Sequence, residues 1–152
     1  MTNQTREINN PQNCINANLR KASRAITKLY VTELADSGLQ GTQFTLLSTI
    51  AGIAKMSGVG CTITQLAHYM VMDQTTVTRS VEKLRQSGYV EIVRGEDRRE
   101  RIVNVTGVGQ QVVDETYPQW REVQQRVWAR LGDEKARQLL DLIDEVVEIT
   151  QM

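Results

Sequence analysis

The residues best placed to do chemistry in this chain are those of a recognition surface, not of a bond-making site. Between Asp73 and Lys83 the sequence reads DQTTVTRSVEK. Val77, Val81 and Leu84 recur at helical spacing and can bury one stripe, which leaves Gln74, Thr75, Thr78, Arg79 and Lys83 outside. Short side chains that both donate and accept, set among cations, suit base edges and phosphates. A little further on, Arg94, Arg98, Arg99 and Arg101 crowd the turn Gly95–Glu100 between two runs of strand character, Tyr89–Arg94 and Arg101–Thr106. Arginines at the tip of a hairpin fit a minor groove or the flanking phosphates. Other reactive side chains are scarce. His68 is the only histidine, and Cys14 and Cys61 stand far apart with no CxxC pair, so no zinc ligand set is expected. No Ser-His-Asp set and no phosphate-binding glycine loop stands in the sequence. An enzyme is therefore the weakest reading, and no cofactor is expected.

The elements that must hold these residues follow from capping and periodicity. Asp73 is a good N-cap for the polar helix, and Gly88 stands where a left-handed C-terminal cap would end it. Upstream, Ile15, Leu19, Ala22, Ile26 and Leu29 mark a first helix from Asn13 to about Asp36, with Arg20, Lys21, Arg24 and Lys28 on its other faces. Thr42 is the expected N-cap of a second helix reaching Met56, with Phe44, Leu47, Ile50 and Ile53 inward. Cys61–Ile63 reads as a short strand joining the hairpin, and Thr64 as the cap of a short helix, Gln65–Met70. After the hairpin, Gly107 and Gly109 open a long helix carrying Val112, Val113, Thr116, Trp120, Val123, Val127 and Leu131. Pro118 should kink it. Gly132-Asp133 starts a last helix with Ala136, Leu139, Leu140, Ile143, Val146 and Val147 inward. A polar helix followed by an arginine-tipped hairpin makes this a winged helix-turn-helix, mainly α with a small β component. The first and last helices carry more apolar surface than so small a core can cover, which calls for a second copy.

Composition is consistent with this. The chain has 152 residues, 40% hydrophobic and 24% charged, with zero net charge, as in an ordinary globular protein. The neutrality hides an asymmetry. Residues 1–106 carry 13 Lys and Arg against 9 Asp and Glu, whereas residues 107–152 carry 5 against 9. Only the local field matters to a phosphate. No run is long enough to span a bilayer, and MTNQTREINN lacks a signal region, so a cytoplasmic protein with no membrane partner is expected.

Three segments resemble the MarR family of bacterial transcription regulators. SGLQGTQFTLLSTI (37–50) is similar to the family's second helix, with Gln43 at its glutamine. TITQLAHYMVMDQTTVTRSVEKLRQSGYV (62–90) resembles its helix-turn-helix. RGEDRRERIVNVTGVG (94–109) resembles its wing, with Asp97 and Arg99 at the aspartate-x-arginine pair and Val105-Thr106-Gly107 at the wing's end. The resemblance implies a homodimer joined by residues 12–36 and 107–152 and a DNA-binding lobe over 37–106, while the polar residues 1–11, ending in Pro11, read as a disordered tail. It implies a near-palindromic double-stranded operator, read by Thr64, Gln74, Thr75, Thr76, Thr78, Arg79 and Lys83. Arg99, oriented by Asp97, would enter a minor groove, while Arg94, Arg98 and Arg101 hold the backbone. It further implies a repressor released by an effector, a small molecule or an oxidant. Tyr30 and Trp120, with Tyr117 and Trp128, are candidates for a small-molecule pocket, although aromatics at helical spacing also serve as plain core. Cys14, near the start of the first helix, is a candidate redox site, but Thr42-Gln43-Phe44-Thr45 lacks the tyrosine-proline element of the family's peroxide-sensing branch. The alternative from another class is a winged-helix protein-interaction module that does not bind DNA.

Overall fold

The computed structural model describes residues 7–35, 39, 41–95 and 100–151. Part of the stretch expected to be a disordered tail carries local structure. Asn10 accepts from the Gln12 amide at 2.9 Å and caps a 3-10 helix, Pro11–Asn13, while the Asn13 side chain donates to the Glu7 carbonyl. Proline at the first helical position needs no amide partner, which lets so short a helix form.

Six α-helices and three strands follow among the described residues: α1 (Ile15–Glu33), α2 (Gly41–Ser57), β1 (Cys61–Thr62), α3 (Ile63–Tyr69), α4 (Gln74–Gln86), β2 (Val90–Arg94), β3 (Arg101–Val105), α5 (Gly107–Leu131) and α6 (Asp133–Gln151). The sheet is antiparallel in the order β1-β3-β2, with Cys61 opposite Val103 and Val90 opposite Val105. β1 thus joins the hairpin as expected, though Ile63 belongs to α3 instead.

Two expected caps lie elsewhere. α2 begins at Gly41, so Thr42 sits within its first turn rather than before it, and Thr45 donates to the Gly41 carbonyl at 3.1 Å. α3 is capped by Thr62, not Thr64. The Thr62 hydroxyl accepts from the Gln65 amide at 3.1 Å, and the Gln65 side chain accepts from the Thr62 amide at 2.8 Å. This reciprocal pair satisfies two amides at once, which a cap at Thr64 could not do.

The helices flanking the helix-turn-helix turn end in the same way. Gly88 and Tyr89 donate to the carbonyls of Arg85 and Leu84, and Val71 and Met72 to those of His68 and Ala67, each at 2.9–3.1 Å. Both are Schellman caps with a left-handed residue after the last helical turn, Gly88 at φ 76° and Val71 at φ 51°. Glycine takes that geometry freely, whereas a β-branched valine is strained in it.

Phe44, Leu47, Ile50, Leu66, Val77, Val81, Leu84 and Val103 form one core beneath the recognition helix and wing, closed by Val113 of α5. The outer helices differ. α1 buries no residue, and among the described side chains of α6 only Ala136 is buried, while Leu139, Leu140 and Ile143 remain exposed in the single chain. Tyr30 of α1 donates to Gln124 of α5, and Glu33 pairs with Arg126. The α5–α6 elbow is pinned by Trp128, whose indole donates to Asp133 at 2.7 Å. α5 runs through Pro118 as a single helix. No helix among the described residues is long and apolar enough to cross a membrane.

Candidate nucleic-acid interface

The candidate surface lies on the N-terminal turns of α4. Asp73 caps the helix through both oxygens, taking the Thr76 amide at 2.8 Å and the Thr76 hydroxyl at 2.6 Å. These two bonds hold its carboxyl below the usual carboxylate range. Thr78 donates its hydroxyl to the Gln74 carbonyl at 2.6 Å. The hydroxyl protons of Thr76 and Thr78 are thus used within the helix, and only their lone pairs face outward. Gln74, Thr75 and Arg79 are exposed and make no side-chain hydrogen bond with any described residue. They are the side chains free to read a partner. Val77, Val81 and Leu84 are fully buried on the opposite side, so the helix cannot roll without emptying the core.

Lys83 is exposed and makes no ion pair among the described residues. Two residues on, Arg85 is held by Glu82 through Nε at 2.8 Å and a terminal nitrogen at 2.7 Å. Thr64, Thr78 and Arg101 share an open cleft of about 590 Å³ between α3, α4 and the wing. Glu82 and Glu100 also border it; Glu82 is an acidic contribution that sequence reasoning missed, although it stands beside Lys83.

At the last rung of the hairpin, Arg94 lies directly opposite Arg101. Like charges across an antiparallel pair repel, and neither has an ion-pair partner among the described residues. An anion set against this rung would relieve the repulsion. Asp97, Arg98 and Arg99, the expected tip of the wing, lie outside the described residues.

The residues considered for an effector separate into two places. Tyr30 and Trp120 both line a cavity of about 260 Å³ between α1, α2 and α5, with Ile26, Phe44 and Thr45 among its walls. Burial raises the Tyr30 phenol above its usual range, so it remains a neutral donor, here to Gln124. Trp120 stacks on Tyr117 with centroids 5.5 Å apart. Cys14 does not line this cavity; it is exposed at the start of α1 and makes no side-chain cap there. Cys61 is buried in β1, where burial raises its thiol above the usual range.

The MarR family model matches residues 37–100, from α2 to the wing. The regulator BilQ of Clostridium symbiosum, of helix-turn-helix type, is 31% identical over 108 residues, covering 70% of this chain and 74% of BilQ. The chain belongs to the MarR family. Further relatives extend the match. YwoH, an uncharacterised helix-turn-helix regulator of Bacillus subtilis, is 26% identical over 76% of this chain and 81% of its own length. The M. tuberculosis regulator MosR, in its crystal structure with DNA, superposes with a TM-score of 0.77 at 29% identity, covering 91% of this chain and 99% of MosR. This MarR-family protein is a DNA-binding transcription regulator of winged helix-turn-helix fold.

Proposed function

We propose that this MarR-family regulator acts in the cytoplasm as a homodimeric repressor on a near-palindromic double-stranded operator and leaves it when an effector binds. The carrying observation is the exposed face of Gln74, Thr75 and Arg79, free of side-chain hydrogen bonds among the described residues, on the helix whose Thr78 shares a cleft with Arg101 of the repelling pair Arg94–Arg101. Gln74 and Thr75 meet base edges, Arg79 and Lys83 meet base edges or phosphates, and Arg94 and Arg101 hold the backbone. Thr64 adds a contact from α3, and Thr76 and Thr78 accept through their remaining lone pairs. To Arg99, with Asp97, this reading assigns a contact in the adjoining minor groove, and to Arg98 one with the backbone. The uncovered apolar faces of α1 and α6 support the dimer, and a two-fold dimer places two recognition helices about 34–36 Å apart on DNA. The cavity beside Tyr30 and Trp120 suits a small, largely apolar effector with one hydrogen-bonding group. Such an effector releases the operator only by favouring a lobe spacing that misfits the half-sites.

Selection from random or genomic fragments with purified protein, at defined salt, tests the reading. Enrichment of a near-palindrome is the expected result. Gln74→Ala then changes the preferred bases, whereas Arg101→Ala weakens binding to all sequences and reduces the salt slope by about one. No enriched sequence at low salt would favour the protein-interaction module instead. Repeating the selection with a thiol oxidant separates the effector classes: release that vanishes in Cys14→Ser assigns the oxidant, and unchanged binding assigns a small ligand.

A further inference from the structure

Behind the recognition helix, the chain passes from β3 into α5 through close backbone contacts bridged by one side chain. Thr106 follows β3 and caps α5, its hydroxyl accepting from the Gly109 amide at 3.0 Å. The same hydroxyl donates to the carbonyl of Gly88, at the end of α4, at 2.7 Å. The Thr106 amide donates to the Tyr89 carbonyl at 3.0 Å. Gly109 closes the joint, since a Cβ there would lie 2.0 Å from the Tyr89 carbonyl oxygen. One hydroxyl thus ties the C-terminal end of the recognition helix to the N-terminal end of the long arm helix.

We infer that Thr106 is a positioning residue that sets the tilt of α4 relative to α5, and with it the half-site spacing the dimer accepts. The inference rests on the homodimeric operator-binding reading above. Its physical basis is leverage. α4 spans Gln74–Gln86, about 20 Å at helical rise. A rotation of about 10° at its Gly88 end moves the reading end by roughly 3 Å, close to one base-pair step. The core beneath α4 fixes which face points outward, but the bond to Gly88 links that face to the arm. A cap alone would need only the acceptor lone pair; donation to Gly88 is the separate, positioning function.

Thr106→Asp separates the two functions, because aspartate is a good N-cap but cannot donate to the Gly88 carbonyl. Binding is measured on the selected operator and on versions with the half-sites moved by one or two base pairs either way. Wild type is expected to peak at one spacing. Thr106→Asp is expected to lose roughly three- to tenfold at that spacing, in line with one hydrogen bond, and to show a flattened profile with unchanged base preference within each half-site. Thr106→Ser, which both caps and donates, restores the peak. A Thr106→Asp protein, dimeric and folded by circular dichroism, that kept the wild-type spacing profile would overturn the inference and leave Thr106 as a cap only. Wild type binding no operator at all would instead overturn the regulator reading on which the inference stands.

Discussion

Asp73 fixes where α4 begins. Its carboxylate accepts twice from Thr76, and both bonds favour the ionised form. Because the folded carboxyl is held below its unfolded value, its contribution to stability is present above the unfolded pKa and is lost as pH falls through the folded one. Asp73→Asn keeps a capping oxygen but does not titrate. Wild type is therefore expected to melt above Asp73→Asn near neutral pH, and the gap is expected to close as pH falls below the carboxylate range. Thermal unfolding across pH measures it; a gap independent of pH would show that ionisation of Asp73 plays no part. At this scale the types and spacing of Gln74, Thr75 and Arg79 were legible, since helical periodicity separates them from Val77 and Val81. The engagement of the Thr76 and Thr78 hydroxyls was not, because a threonine on the outer face can turn toward its own helix or toward a partner.

Among the elements, α3 best illustrates what local reading can miss. The signature Thr62-Ile63-Thr64-Gln65 contains a capping box starting at Thr62, and choosing Thr64 overlooked the glutamine three residues after Thr62. Thr62→Ala is expected to cost about 1 kcal/mol in urea unfolding, whereas Thr64→Ala stays within about 0.5 kcal/mol and is expected to weaken DNA binding instead. Equal destabilisation by both would contradict the assignment of the cap. The end of α4 was legible because Gly88 announces a left-handed cap. The matching cap at Val71 was not, because valine carries no such signal and takes that geometry only where the tight helix-turn-helix turn imposes it.

For the whole molecule, the deciding feature is the apolar surface that one chain leaves uncovered. Ile15, Leu19, Ile26 and Leu29 of α1 and Leu139, Leu140 and Ile143 of α6 are all exposed to more than a third of their full extent. Leu140→Glu should therefore leave the lobe folded, since the side chain is 48% exposed in the single chain. It is expected to give monomers by analytical ultracentrifugation and to weaken operator binding by on the order of a hundredfold, through loss of bivalent engagement. A Leu140→Glu protein that remained dimeric would place the interface elsewhere on these helices.

Taken alone, the amino-acid order determined the winged helix-turn-helix, the polar face of α4, the pairing of β1 with the hairpin and the surplus of apolar surface at both ends. These depend on period, caps and turn residues, which act over a few positions. Only the tertiary structure decided which contacts join distant segments: Arg94 against Arg101, Tyr30 and Trp120 around one cavity with Cys14 apart from it, and Thr106 bonded to Gly88. The physical reason is that such contacts depend on how whole elements pack, and no local pattern records the distance or angle at which two elements meet.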